Sequence, residues 1–265
     1  MDRIIELRTV QSKAIKTLIE LLKEILPEGN IEINSSGIKI LATDPSKTML
    51  IHLKLKAEEF DYFMCKEKKI LGIDMTKFQK LIKTMADNDT LTLFYEKSDK
   101  DEEKLGVQIA NGDKNKVATY KMKLMDIDEN KFNIPPAQFD SIITMPSDEF
   151  QKICRDLHVF SPLVEIKNIG KQLIFQCDGD YTEASIVMGE KSQDTGLTFL
   201  KNGEPTDVVQ GFYDLKSLCL FTKCTNVSNN IEIYMKNDFP LVLQYKIGTL
   251  GDLKLGVAPK IVDNN

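Results

Sequence analysis

A chain of 265 residues with 42% hydrophobic and 28% charged side chains can bury one large core or two ordinary ones, and it holds no apolar run near the ~20 residues a membrane-spanning helix needs. Its net charge of −5 excludes a body that is basic all over, so any grip on a polyanion has to come from positive charge gathered locally. Five cysteines, odd in number and without a C-x-x-C pair, follow a start (Met1-Asp2-Arg3, then Glu6 and Arg8) with no apolar leader core; both features predict buried free thiols in a reducing compartment, where the sequons at Asn34, Asn88 and Asn226 carry no sugar.

In chain order, Gln11 to Leu26 is the first predicted helix. Ile15, Leu18, Leu22 and Ile25 take one side and Lys13, Lys16, Glu20 and Lys23 the other. Period-2 segments follow at Ile31 to Ile33, Ile38 to Ile40 and Met49 to Leu55, then a short helix at Thr76 to Ala86, then strands at Thr90 to Tyr95, Val107 to Ala110 and Val117 to Leu124. Beyond residue 135 the order starts again. Helix Ser147 to His158 precedes strands at Leu163 to Ile166, Gln172 to Cys177 and Ala184 to Met188. Helix Asp214 to Thr225 precedes Asn230 to Met235, Leu241 to Ile247 and Lys254 to Val257. Ser147 and Asp214 are the expected N-caps of these last two helices. Two helices and a series of strands in each half predict an α+β protein of two similar domains, with helices on one face of antiparallel sheet. The expected boundaries are 1–123, a connecting linker at 124–136, and 137–265.

The linker is acidic and ends in Pro135-Pro136, which favours extended chain over a packed element. Asp126-x-Asp128-x-Asn130 imitates the start of a calcium loop, but Lys131 stands where glycine is needed and Ala137 where glutamate is needed. Asp99 to Lys104 reads as a solvated hairpin loop. No phosphate-binding glycine loop and no H-E-x-x-H is present, and two histidines, His52 and His158, give a metal centre or a Ser/His triad almost no material. These absences predict a binding protein, without catalytic residues, metal or cofactor, rather than an enzyme.

The four predicted helices hold ten Lys/Arg against six Asp/Glu, so they are net +4 while the remainder is net −9. Such a division suits a protein that holds a polyanion at one surface and repels it elsewhere.

Lys121 to Asp128, Met145-Pro146-Ser147 through Leu157, Pro240 to Ile247 and Ala258-Pro259-Lys260-Ile261 resemble the proliferating cell nuclear antigen family, the sliding clamps of DNA replication. The resemblance extends through Val10-Gln11, Ser35-Ser36-Gly37 and Phe221-Thr222-Lys223, and so runs essentially end to end. It implies a ring-shaped homotrimer that encircles duplex DNA without reading sequence. Such a ring acts as a processivity factor for DNA polymerase and tethers clamp loader, replication and repair proteins through PIP-box peptides, in a nucleus or at a viral or cytoplasmic replication site. A subunit of a heterotrimeric checkpoint ring shares the fold and is the alternative; a non-ring DNA-binding protein and an enzyme stand further off.

By the same resemblance, Lys23, Lys80, Lys83, Arg155 and Lys223 match DNA-facing positions, and Lys16 and Lys216 join them. Leu50, Phe132, Ile134, Phe139, Pro240, Ala258 and Pro259 match the lining of the partner-peptide groove. Lys116, Val117 and Tyr120, opposite Ala184, Ile186 and Met188, match the subunit contact. Thr43 replaces a usual Met of the groove and Gly256 a usual large aromatic, which implies a wider pocket. Gly170, between Lys167 and Lys171, occupies the usual ubiquitin and SUMO acceptor position, so that switch does not carry over.

Overall fold

The computed structural model describes residues 3–96, 103–128, 137–190, 196–204 and 206–261. They fall into two compact units. One comprises Met1–Pro45, Ile51–Phe132 and Ile247–Leu253; the other comprises Ser46–Leu50, Asn133–Lys246 and Lys254–Asn265. Among the described residues there are four α-helices and eighteen strands, and every strand pair whose register is resolved runs antiparallel.

The first unit is built from β1 (Arg3–Thr9), α1 (Ser12–Ile25), β2 (Glu28–Asn34), β3 (Gly37–Thr43), β4 (Met49–Lys56), β5 (Tyr62–Cys65), β6 (Lys69–Asp74), α2 (Met75–Ile82), β7 (Thr90–Glu96), β8 (Lys104–Asn111) and β9 (Lys116–Lys123). Five strands pair in the order β5-β1-β7-β8-β9, and four more in the order β6-β2-β3-β4. α1 buries Leu18, Leu21, Leu22 and Ile25, α2 buries Phe78 and Ile82, and the two helices pack together. α2 is shorter than predicted. Its last predicted turn tightens, because Thr84 and Met85 donate their amides to the carbonyls of Leu81 and Ile82, three residues back rather than four.

The second unit is built from β10 (Ser141–Pro146), α3 (Ser147–His158), β11 (Leu163–Ile169), β12 (Gln172–Asp178), β13 (Glu183–Gly189), β14 (Thr198–Lys201), β15 (Val208–Asp214), α4 (Leu215–Phe221), β16 (Asn230–Met235), β17 (Leu241–Ile247) and β18 (Gly251–Val257). Its sheets run β13-β12-β11-β15 and β14-β10-β16-β17-β18. Phe150 of α3 meets Phe175 of β12 edge-on at 6.2 Å, which seats the helix over the first of these sheets. α4 ends at Phe221 and continues as a 3₁₀ turn, Thr222–Asn226, where the Thr222 hydroxyl donates to the Cys219 carbonyl at 2.7 Å.

The duplication extends to single hydrogen bonds. Asp74 caps α2 by accepting from the Lys77 amide at 2.9 Å, and Asp214 caps α4 by accepting from the Ser217 amide at 2.7 Å. The Lys77 ammonium and amide together hold the Asp74 carboxyl below its ordinary pKa. Ser12 opens α1 and donates its hydroxyl to the carbonyl of Asp89, past α2; Ser147 opens α3 and donates to the carbonyl of Ser228, past α4. Ser147 is therefore not the N-cap expected from sequence. It is the first helical residue, the cap position is Pro146, and the buried hydroxyl turns inward to the carbonyl of the buried Ser228.

The thiols also differ from expectation. Cys154, Cys177 and Cys224 are buried, whereas Cys65, on the edge strand β5, and Cys219, on the flank of α4, are only half-buried. Gly72 shows why the chain after β9 departs where it does. A side chain there would strike the Met125 carbonyl, whose own amide bonds Gly72 at 2.9 Å, so the linker's start lies against β6.

Candidate nucleic-acid interface

Each helix pair turns its apolar stripe inward and leaves its cations outside. On α2, Lys77 and Lys80, with Lys83 at its C-cap, recur every three residues on the exposed face; Lys77 is paired with the capping Asp74 at 2.9 Å, and the helix itself carries no acidic residue. On α1, Lys13 is exposed, while Lys16 and Lys23 are half-buried and carry acidic neighbours, Asp87 at 3.2 Å and Glu24 at 3.1 Å. Arg155 and Lys152 are exposed on α3, one turn apart, and Lys216 and Lys223 are exposed on and just after α4. Sequence reasoning left Lys13 and Lys152 out of the site. Their spacing, three residues before Lys16 and before Arg155, is the signal that adds them.

The described groove positions lie in the second unit, Leu50 among them because the boundary between the units falls within β4, after Leu50. Phe132 and Ile134 fall outside the described residues. Leu50, Phe139, Pro240, Ala258 and Pro259 are all half-buried, as expected of a partly wet apolar surface, and the Ala258 amide donates to the Thr48 carbonyl at 2.9 Å, which ties the C-terminal segment beside Leu50. Two aromatic residues were missed. Phe139 packs edge-on against Tyr234 at 5.3 Å and Phe239 at 5.6 Å, and Lys254 sits 5.2 Å above the Tyr234 ring. Gly256 puts no side chain on this surface, and a Cβ there would rest in van der Waals contact with Leu50, whose Cβ lies at 3.4 Å. In the first unit, Thr43 ends β3, half-buried.

The predicted subunit-contact residues lie on two terminal strands. β9 ends its sheet in the first unit and β13 ends its sheet in the second. Tyr120 is level with buried Val107, while Ala184, Ile186 and Met188 are level with buried Cys177, Phe175 and Leu173, so these half-exposed side chains continue a core layer that stops at the edge. Val117 alternates onto the opposite face of β9, 59% exposed, and Ala118, level with Ile109, takes the place on the core face. The other sheet edges among the described residues are blunted. β5 and β14 have only four residues each; β6 carries the Met125 bridge; β15 is closed by Asn237, which exchanges hydrogen bonds with the Gln210 amide and the Val208 carbonyl, and by a bridge from Lys260 to Phe212.

Gly170 turns the β11–β12 hairpin at φ +52°, a left-handed conformation that lysine adopts only with strain, and the Asn168 amide group closes the turn on the carbonyls of Gly170 and Gln172. Asp126 and Asp128 are exposed, and the Asn30 side chain donates to the carbonyls of Ile127 and Asp128. Among the described residues no group of three or more His, Cys, Asp or Glu is placed to hold a metal ion.

Residues 4–132 match the proliferating cell nuclear antigen N-terminal domain, and residues 133–260 match the C-terminal domain of the same family. A relative described as a probable DNA polymerase sliding clamp 1, from Paramecium bursaria Chlorella virus 1, is 34% identical over 257 residues, which cover 96% of this chain and 95% of the relative. Two domain matches to one family that tile the chain, with a sliding-clamp relative covered almost end to end, favour a clamp over a checkpoint-ring subunit. The chain belongs to the proliferating cell nuclear antigen family, the non-enzymatic DNA sliding clamps.

Proposed function

We propose that the chain closes into a homotrimer around duplex DNA, holds it through the cations of its four helices, and tethers DNA polymerase, clamp loader and repair proteins through PIP-box peptides at replication sites, nuclear or viral. The observation that carries this reading is the duplication. Each unit has two packed helices with cations outside, and one sheet ending in a long open edge. β9 and β13 belong to different units, so pairing one with the other between chains is heterologous and closes only as a ring. Lysine suits a sliding contact because it is a mobile point charge, whereas bidentate contacts would fix the register.

Native mass together with retention on DNA tests the proposal. Light scattering at micromolar concentration should give about three chains per particle. Once placed on nicked circular duplex by a eukaryotic-type clamp loader, the protein should stay bound until the circle is linearised. Equal release from circular and linear DNA would overturn encirclement.

Recognition of partners belongs to the apolar surface of Leu50, Phe139, Pro240, Ala258 and Pro259, to which the family resemblance adds Phe132 and Ile134. A peptide of the form Gln-x-x-aliphatic-x-x-aromatic-aromatic seats its anchors there, each adding about 1.5–3 kcal/mol when fully buried. Calorimetry should find the Ile134→Ala, Pro240→Ala double variant at least roughly tenfold weaker than wild type. It should also find little difference between Phe and Tyr at the last anchor, since Gly256 leaves that wall open. Equal affinity of the double variant and wild type would place the peptide elsewhere.

A further inference from the structure

α3 and α4 pack against each other, and two hydrogen bonds between α3 and the segment leading out of α4 set their register. The Thr225 hydroxyl donates to the Ser147 carbonyl at 3.3 Å, and the Gln151 side-chain amide donates to the Thr222 carbonyl at 3.0 Å. Four α-helical residues from Ser147 to Gln151 climb about 6 Å. Three 3₁₀ residues from Thr225 back to Thr222 cover about the same rise. The segments therefore run antiparallel, in step. One further turn, three α-helical residues along each, brings Cys154 level with Cys219. Cys154 lies on the buried face of α3 with Phe150, Ile153 and Leu157; Cys219 is half-buried beside the fully buried Leu218. Packed helix axes about 8–10 Å apart, with Cα atoms about 2.3 Å off each axis, put directly facing Cα atoms about 3.4–5.4 Å apart and a pair turned toward the flank somewhat farther, a span that overlaps the roughly 4.4–6.8 Å of a disulfide.

We propose that Cys154 and Cys219 are a dithiol pair that a small-molecule disulfide oxidises to an intramolecular disulfide, stapling α3 to α4. The Cys219 thiolate attacks one sulfur of the small disulfide, whose S–S bond breaks as a mixed disulfide forms; the departing small thiolate takes up the proton that Cys219 lost. Cys154 gives up its proton, attacks the Cys219 sulfur and expels the second small thiol. Two protein thiols are oxidised and one small disulfide is reduced to two thiols. The order of attack follows from the surroundings. Burial holds both thiols above their ordinary pKa, Cys154 the further, helped there by Cys219; at Cys219 the Arg155 guanidinium opposes the shift and solvent has access. Cys224 is fully enclosed, its thiol pushed up to about 12 by burial, and belongs about two turns away, level with the start of α3.

The test uses the full chain treated with oxidised glutathione under native conditions, then thiol titration after denaturation, intact mass and peptide mapping. Of the five thiols, three should remain. The mass should fall by two hydrogens with no glutathione attached, the peptides holding Cys154 and Cys219 should be joined, and dithiothreitol should reverse all of this. The oxidised form should melt about 4–10 °C higher than the reduced one. Cys219→Ser, at a half-exposed position, should retain its four thiols and show no shift. Five thiols remaining in wild type, a lasting glutathione adduct on Cys219, or a link mapped to Cys224 would each overturn the pair.

Discussion

Ile186→Glu on β13 should turn the assembled protein into monomers, and Ala118→Glu on β9 should do the same from the other side. Either glutamate would be carried into a strand pairing whose apolar layer runs from buried Phe175 through Ile186, or from buried Ile109 through Ala118. Burying an unpaired carboxylate costs about 3 kcal/mol or more, over a hundredfold in affinity per contact. Each side chain is half-exposed in the isolated chain, so the charge stays hydrated there and the fold survives, which circular dichroism checks. The decisive measurement is the mixture. If β9 of one chain pairs with β13 of the next, the Ile186→Glu chain keeps a sound β9 and the Ala118→Glu chain a sound β13. Mixed in equal amounts, the two monomers should form dimers of one chain each and go no further. A mixture that stays monomeric, or an Ile186→Glu chain that retains wild-type mass, would rule out the head-to-tail pairing.

The second large effect is on DNA. Replacing Lys23, Lys80, Lys83, Arg155 and Lys223 with Ala should leave assembly intact, because none of these side chains lies on β9 or β13. It should nevertheless shorten retention on nicked circular DNA severalfold and flatten its dependence on salt. Each phosphate contact removed takes about 0.9 from the magnitude of the slope of log affinity against log salt concentration. Lys80, Lys83 and Arg155 should account for more of the change than Lys23, since they are exposed, whereas Lys23 is half-buried and partly neutralised by Glu24 at 3.1 Å. An unchanged slope in a variant that still forms trimers would detach the helix faces from DNA.

How much of this could be read beforehand depended on the range of the interaction. α1 and α3 were legible nearly to the residue because apolar side chains at a 3.6-residue period report a buried face directly. β16 and β17 were legible for the corresponding reason at period 2. β1, β5, β6, β10, β14 and β15 were not read as strands. β6 and β10 are short, mostly apolar runs leading straight into helices, and such runs carry no period that separates strand from helix.

What the amino-acid sequence determined by itself was therefore local or cumulative: which faces are buried, which helices carry the cations, and a family resemblance spread over the whole length. The tertiary structure alone decided which sheet edges stay open, that Ser147 points inward instead of capping its helix, that Phe139 gathers Tyr234 and Phe239 around it, and that Gln151 and Ser147 of α3 bond the segment leading out of α4. In each of these, residues some 40 to 100 positions apart in the chain meet. Their meeting depends on strand order and helix register, which arise from packing summed over a whole unit and leave no periodic trace near any one residue.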